Sequence, residues 1–198
     1  MEPALLDIYR RKILPNIEEP IREIVNALWE LPFVVDTNEA CCGHIVTTDY
    51  LKSDSRYKKI RQGLYWYPHG IRLGVDFSLD DELKEQAEAF RKDLSSIDVD
   101  IGLRVSEAVR GYRTLDGKQI KVLHTYYDST FPDRDLQPPS ENVREFVKVT
   151  QDKLIDFWEA FARVVSNYNP QVQFSLIKDK NFLKIIDWAD LGDYRRYL

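Results

Sequence analysis

Residues 70–78 read GIRLGVDFS. Ile71, Leu73, Val75 and Phe77 alternate with Arg72, Gly74, Asp76 and Ser78, and a period of two marks a strand buried on one face. The stretch runs straight into Ser78-Leu-Asp-Asp-Glu82, a capping residue followed by acids, which is a helix start. Leu83, Ala87, Phe90, Leu94 and Ile97 then form an apolar stripe at helical spacing. Val99, Ile101, Leu103 and Val105 alternate as the next strand, which continues through Val109 and Tyr112 to a hairpin turn at Asp116-Gly117. The return strand spans 119–127, and LYWYP at 64–68 is a further strand upstream. Hairpin-length links joining most strands, with helices in only some connections, give an α+β fold: an antiparallel or mixed β-sheet backed by helices.

Outside this centre the first thirty residues read as helix broken by Pro15 and Pro20. Ile21, Ile24, Val25, Leu28 and Trp29 share one face, Pro20 suits the first helical turn, and Leu31-Pro32 closes the segment. FVVDTNEACCGHIVTT (33–48) reads as extended with a turn near Asp36–Glu39, and a polar loop follows from Asp49 to Gln62. Beyond the hairpin, DSTFPDRDLQPPSEN (128–142) is a loop with Ser140 as an N-cap. A long helix over 141–167 carries Val143, Phe146, Val147, Leu154, Phe157, Trp158, Phe161, Val164 and Val165 on one wide face. Val172, Phe174 and Leu176 make a short strand, and Phe182, Ile185, Ile186 and Trp188 a last helical piece. The chain reads as a single domain over 1–198: a helical segment 1–31, a sheet-rich middle 33–127, the helix 141–167, and a short strand and helical piece at 171–198.

The chain has 198 residues, 28 Lys+Arg against 33 Asp+Glu, and a net charge of -5. Eleven Tyr, nine Phe and four Trp supply enough bulky apolar surface for a real core, so the composition is not that of a disordered chain. The acidic balance argues against a generally basic nucleic-acid coat. No apolar run approaches the roughly 18 residues of a membrane helix. MEPALLDIYRRKIL shows no charged leader followed by an apolar stretch, and Cys41 and Cys42 are adjacent, an unfavourable geometry for a bridge. A cytoplasmic setting, with no membrane partner, is the expectation. None of the eight glycines falls in a dinucleotide or P-loop pattern.

The densest unusual cluster is Thr37-Asn-Glu-Ala-Cys41-Cys42-Gly43-His44. On a strand, Cys42 and His44 point the same way, as a nucleophile–base pair or two metal ligands would. Gly43 between them allows a phosphate to approach the backbone. The alternative is that both cysteines are small buried hydrophobes. His69 sits at a turn before a strand. His124 shares parity with Ile120, Val122 and Tyr126, an apolar face on which a histidine is commonly a satisfied core residue. Between Tyr50 and Tyr67 the bases Lys52, Arg56, Lys58, Lys59 and Arg61 face one acid, Asp54, and five aromatics lie among or beside them. Basic side chains that fix phosphate and rings that stack on bases suit a nucleotide or a single strand of RNA; the alternative is a solvated loop with the aromatics packed under it. Asp76 and Arg72 share the polar face of their strand as a simple ion pair. Glu39, beside Cys41, has the chemistry of a general base. Arg104, Arg110 and Arg113 line the hairpin with Glu107, either as a mixed solvent face or as the wall of an anion-binding cleft.

The run Ile24-Val-Asn-Ala-Leu28, then Leu31-Pro32, Thr37 and Ala40-Cys-Cys-Gly-His44 resembles α+β proteins in which a helix and a Cys-x-Gly-His turn lead into a strand. More distantly it is similar to the tRNA wybutosine-synthesising methyltransferase family. In that likeness Cys41 matches the family cysteine and Gly43 its glycine, while His44 stands for arginine and Ala40 for serine. The resemblance spans residues 24–44. It implies the helix-then-sheet architecture and, for the methyltransferases, use of S-adenosylmethionine.

Three readings of function follow. The first is binding or modification of a phosphate-bearing ligand, nucleotide or RNA, at the Cys41–His44 turn beneath the 52–61 loop. Cys42 and His44 would be its catalytic pair, with Cys41, Gly43, Lys58, Lys59 and Arg61 holding the ligand. The second is a zinc-dependent enzyme with Cys42 and His44 joined by His69 or His124. The third is a non-catalytic interaction protein.

Overall fold

The structure is a computed structural model that describes residues 1–47, 66–129, 143–170 and 185–186. Helix α1 (Pro3–Lys12) and a single 3-10 turn (Leu14–Asn16) lead to α2 (Glu19–Glu30), in which Pro20 occupies the first turn. Leu31 adopts extended backbone ahead of Pro32, so the helix stops there. Strands β1 (Val34–Cys41), β4 (Arg72–Ser78), β6 (Gln119–Ser129) and β5 (Leu103–Arg113) form an antiparallel sheet in the spatial order β1-β4-β6-β5. A second sheet pairs β2 (His44–Thr47) antiparallel with β3 (Trp66–His69) and parallel with the two-residue strand β7 (Ile185–Ile186). Helices α3 (Asp81–Ser95) and α4 (Val143–Tyr168) complete the α+β architecture.

One face of the four-stranded sheet carries the core. Val34, Leu73, Val75, Phe77 and Tyr127 meet the apolar faces of α2 (Ile21, Ile24, Leu28, Trp29), α3 (Ala87, Phe90, Leu94) and α4 (Leu154, Phe157, Trp158, Phe161, Val165) in one buried cluster. Phe33, Phe90 and Tyr168 pack ring against ring, 5.2–5.9 Å apart, and close the cluster between helices and sheet. Each fully buried Phe or Leu stabilises the fold by about 1.5–3 kcal/mol.

Several expectations are corrected. The segment around Asp36–Glu39 does not turn: β1 runs through it, with register shifts between Val34 and Asp36 and between Thr37 and Glu39. Those bulges absorb the irregular spacing of its side chains. The chain turns instead at Cys42–Gly43, where Gly43 takes φ 90°. The strand expected from Val99 begins only at Leu103, after Gly102 at φ 60°. Ile185 and Ile186, expected in a helix, form β7 because their backbones complete a ladder with Ile45 and Val46. The 49–62 loop, the Ser140 cap and the strand at 172–176 lie outside the described residues.

Candidate functional site

The β4–β6 ladder decides which side chains meet on the sheet face away from the core. Phe77, Val75 and Leu73 oppose Leu123, Thr125 and Tyr127, so these six share the helix side. Ser78, Asp76, Gly74 and Arg72 therefore share the other face with Val122, His124, Tyr126 and Asp128. His124 is on this polar face, which corrects its expected place among core residues. Its strand parity with Tyr126 holds, but the core side of β6 belongs to Thr125 and Tyr127.

Asp76 is 0% exposed and is the anchor of the face. Its Oδ1 lies 2.9 Å from His124 Nδ1, and its Oδ2 accepts from Arg110 Nη2 and, at 3.4 Å, from Asn38 Nδ2. A carboxylate needs donors, so it fixes the His124 proton on Nδ1 and leaves Nε2 as the acceptor of the neutral ring. The His124 side chain is 21% exposed and that of Arg110 38%. Asp76 is thus not a simple partner of Arg72: Arg72 lies 3.7 Å from Glu39 and 3.9 Å from Asp128. Arg104 and Arg110 share the His124 face with Ala108, whereas Glu107 turns to the helix side and bonds Arg91 at 2.6 Å. The hairpin arginines and Glu107 therefore do not form one wall.

Small residues make room for the rings. His124 and Tyr126 have centroids 6.4 Å apart at 32°. A Cβ on Gly74 would stand 3.2 Å from His124 Cε1 and 3.5 Å from Tyr126 Cδ2, so both rings lean over that glycine. Ala108 and Ser106 oppose them on the other side. The Tyr126 hydroxyl donates to Glu39 Oε2 at 2.7 Å, and burial, then this bond, raises its pKa. At one border Asp36 opposes Asp76 in the ladder and accepts the Tyr9 hydroxyl at 2.6 Å and the Thr37 N–H at 2.7 Å. Burial pushes the Asp36 carboxyl up, against the pull of both donors. Tyr112 shares this acidic corner: desolvation, then Asp36 and Glu2, push its phenol up to about 12.

The Cys41–His44 turn is built differently from a nucleophile site. Cys42 is buried in the core cluster and belongs to no strand, so the shared strand orientation expected for it and His44 does not arise. Its N–H donates to Glu18 Oε2 at 2.6 Å, its carbonyl accepts Trp158 Nε1–H at 2.9 Å, and its thiol faces the Gly43 carbonyl at 3.4 Å. Desolvation, then Glu18, raises the Cys42 thiol well above its ordinary range and Cys41 to about 12. A protonated, buried thiol is a poor nucleophile and metal ligand. The turn's amide already holds an anion, the Glu18 carboxylate. His44 stands directly opposite His69 in the β2–β3 backbone ladder, while His124 lies in the other sheet. Among the described residues no group of three or more His, Cys, Asp or Glu is placed to hold a metal ion. Lys58, Lys59 and Arg61 lie outside the described residues.

Asp76 with His124 is the pair that sequence reasoning did not join. The available signal was an acid embedded in an apolar strand and a histidine on a hairpin strand, and only strand pairing brings them together. No described helix is long and apolar enough to cross a membrane. Compared with known protein families, curated proteins and solved structures, the chain matches none.

Proposed function

We propose that this protein binds a phosphate-bearing ligand, a nucleotide or a single strand of RNA, on the polar face of its four-stranded sheet. The observation that carries the reading is the pair of rings, His124 and Tyr126, lying side by side over Gly74 between the half-exposed Arg72 and Arg110. An antiparallel sheet covered by helices on one side offers its other side as a platform on which unpaired bases stack. Arginine forks beside the rings keep donors for phosphate after their contacts to Asp76, Glu39 and Asp128. His124, held by Asp76, presents Nε2 to the ligand as a hydrogen-bond acceptor or proton acceptor.

The test is titration of a fluorescently labelled single-stranded RNA, and separately of labelled ATP, across a salt series. Binding should weaken as salt rises, with a log–log slope of about -0.7 per neutralised phosphate for the RNA. Tyr126→Ala should weaken it by about 1–3 kcal/mol for each base stacked on the ring. Affinity indifferent to salt, or equal in Tyr126→Ala and Arg72→Ala, sinks the reading.

A second reading, the zinc-dependent one, rests on the direct opposition of His44 and His69 in the backbone ladder. Elemental analysis of the purified protein and its His44→Ala variant decides it: zinc bound by the first and lost by the second supports it, and zinc in neither removes it.

A further inference from the structure

We propose that His124 is a general base that cleaves single-stranded RNA, taking the proton of the 2′-hydroxyl next to the phosphodiester it cuts. The inference rests on the polar sheet face being a nucleotide or RNA platform, and adds to it a reaction and a choice of polymer.

The ring is held as a base must be. β6 is an inner strand, paired without a register shift to β4 from Arg72↔Asp128 to Ser78↔Val122 and to β5 from Leu103↔Ser129 to Arg113↔Gln119. Side chains on such a strand stand on a rigid support. Asp76, closed to solvent, accepts the Nδ1–H and so leaves Nε2 as the acceptor. That bond is the only one His124 makes among the described residues, so Nε2 is left for a group of the ligand. A buried carboxylate behind the ring also stabilises the imidazolium that forms when Nε2 takes a proton. Arg110 shares this carboxylate: it bonds Asp76 through Nη2 and is 38% exposed. Its other N–H groups suit the non-bridging oxygens of a phosphate, where charge gathers in the transition state.

The chemistry of the ligand selects RNA. A base stacked on Tyr126 has its ribose and phosphate at its margin, and His124 is the neighbouring ring, with centroids 6.4 Å apart. The 2′-hydroxyl of RNA lies beside the phosphorus it can attack, so orientation alone supplies much of the rate. DNA lacks that hydroxyl, and a free nucleoside triphosphate has no 3′-phosphodiester to break. His124 Nε2 takes the 2′-hydroxyl proton, the 2′-oxygen bonds to phosphorus, and the bond from phosphorus to the 5′-oxygen breaks. The 5′-oxygen leaves with a proton from water, and the imidazolium returns its own proton to the solvent. The products are a 2′,3′-cyclic phosphate and a 5′-hydroxyl, with no net use of water.

The experiment incubates the full chain, in EDTA, with an end-labelled single-stranded RNA of mixed sequence and with its fully 2′-O-methylated counterpart. The RNA should be cut to fragments ending in 2′,3′-cyclic phosphate, and the methylated strand should bind and stay whole. His124→Ala and His124→Gln, purified in parallel and with unchanged far-UV spectra, should cut about 10²–10⁴-fold more slowly. Glutamine keeps a donor for Asp76 without a basic nitrogen, so it separates proton transfer from support of the fold. Methylated RNA that binds beside RNA that stays intact overturns the cleavage proposal and leaves the platform reading standing. Binding of neither strand overturns both. Cleavage at the native rate in the His124 variants, or fragments ending in a 3′-hydroxyl, also overturns the proposal.

Discussion

Asp76 and His124 oppose each other across the β4–β6 ladder, with Asp76 Oδ1 2.9 Å from His124 Nδ1 and the aspartate closed to solvent. The pair ties the middle of the sheet to its polar face. It also orients the His124 ring, whose Nδ1 faces the carboxylate.

Asp76→Asn should lower stability by about 2–4 kcal/mol, because the Arg110 guanidinium loses its charged partner and the amide turns a donor toward one of its neighbours. Urea melts of variant and native protein measure this. Nitrogen shifts of the His124 ring read the second consequence: the neutral native ring carries its proton on Nδ1, and the variant loses that preference. A native ring protonated on Nε2 instead would refute the assignment.

Asp36 gives a pH dependence of defined sign. Its folded carboxyl is raised by burial, so the folded state binds the proton more tightly than the unfolded chain. Stability contributed by this group is therefore lost as pH rises from the ordinary carboxylate value through the raised one. The groups facing it are Tyr9, Tyr112, Asp76, Arg110 and the Thr37 N–H. Asp36→Asn keeps an oxygen for the Tyr9 and Thr37 donors and removes the ionisation. Relative to native protein, the variant should gain stability across that window and hold a constant gain above it, as urea melts at stepped pH would record. A gain growing as pH falls would contradict the sign.

Trp158 anchors the Cys42 turn through its Nε1–H bond to the Cys42 carbonyl. Trp158→Phe leaves a buried carbonyl unpaired and a small void, at a cost of about 2–4 kcal/mol. Thermal unfolding measures the loss. In the native protein neither cysteine should react with iodoacetamide at neutral pH, and both should react once it is unfolded. Fast native alkylation of Cys42 would show that its thiol is not buried as described.

Gly70 has no room for a side chain: an added Cβ would lie 1.8 Å from the Ser129 carbonyl oxygen, a backbone atom. Ser129 Oγ also accepts the Ile71 N–H at 2.8 Å, so the clash strikes where β4 begins. Gly70→Ala should cost more than about 3 kcal/mol, visible as a lower urea midpoint, whereas Gly111→Ala, with open space around it, should be nearly silent.

Local pattern determined most of the elements. The alternation of Ile71, Leu73, Val75 and Phe77, the stripe of Ala87, Phe90 and Leu94, the Asp116-Gly117 turn and the stop at Leu31-Pro32 each follow from a period or a backbone restriction within a few residues. These features sufficed for helices on one side of an antiparallel sheet. Where a segment lacked a clean period the sequence misled: β1 keeps its strand through two bulges, and Ile185–Ile186 become strand because β2 offers them a ladder.

The site was decided by tertiary structure alone. Parity tells which residues of one strand share a face, but not which face of β6 meets the core. That depends on pairing Thr125 with Val75 rather than with Asp76, and it moves His124 from a core position to the side of a buried carboxylate. In the same way, adjacency in sequence joined Cys42 to His44, while burial and the bonds from Glu18 and Trp158 gave Cys42 to the core. Asp76 and His124 are 48 residues apart, and only the register of two strands makes them neighbours.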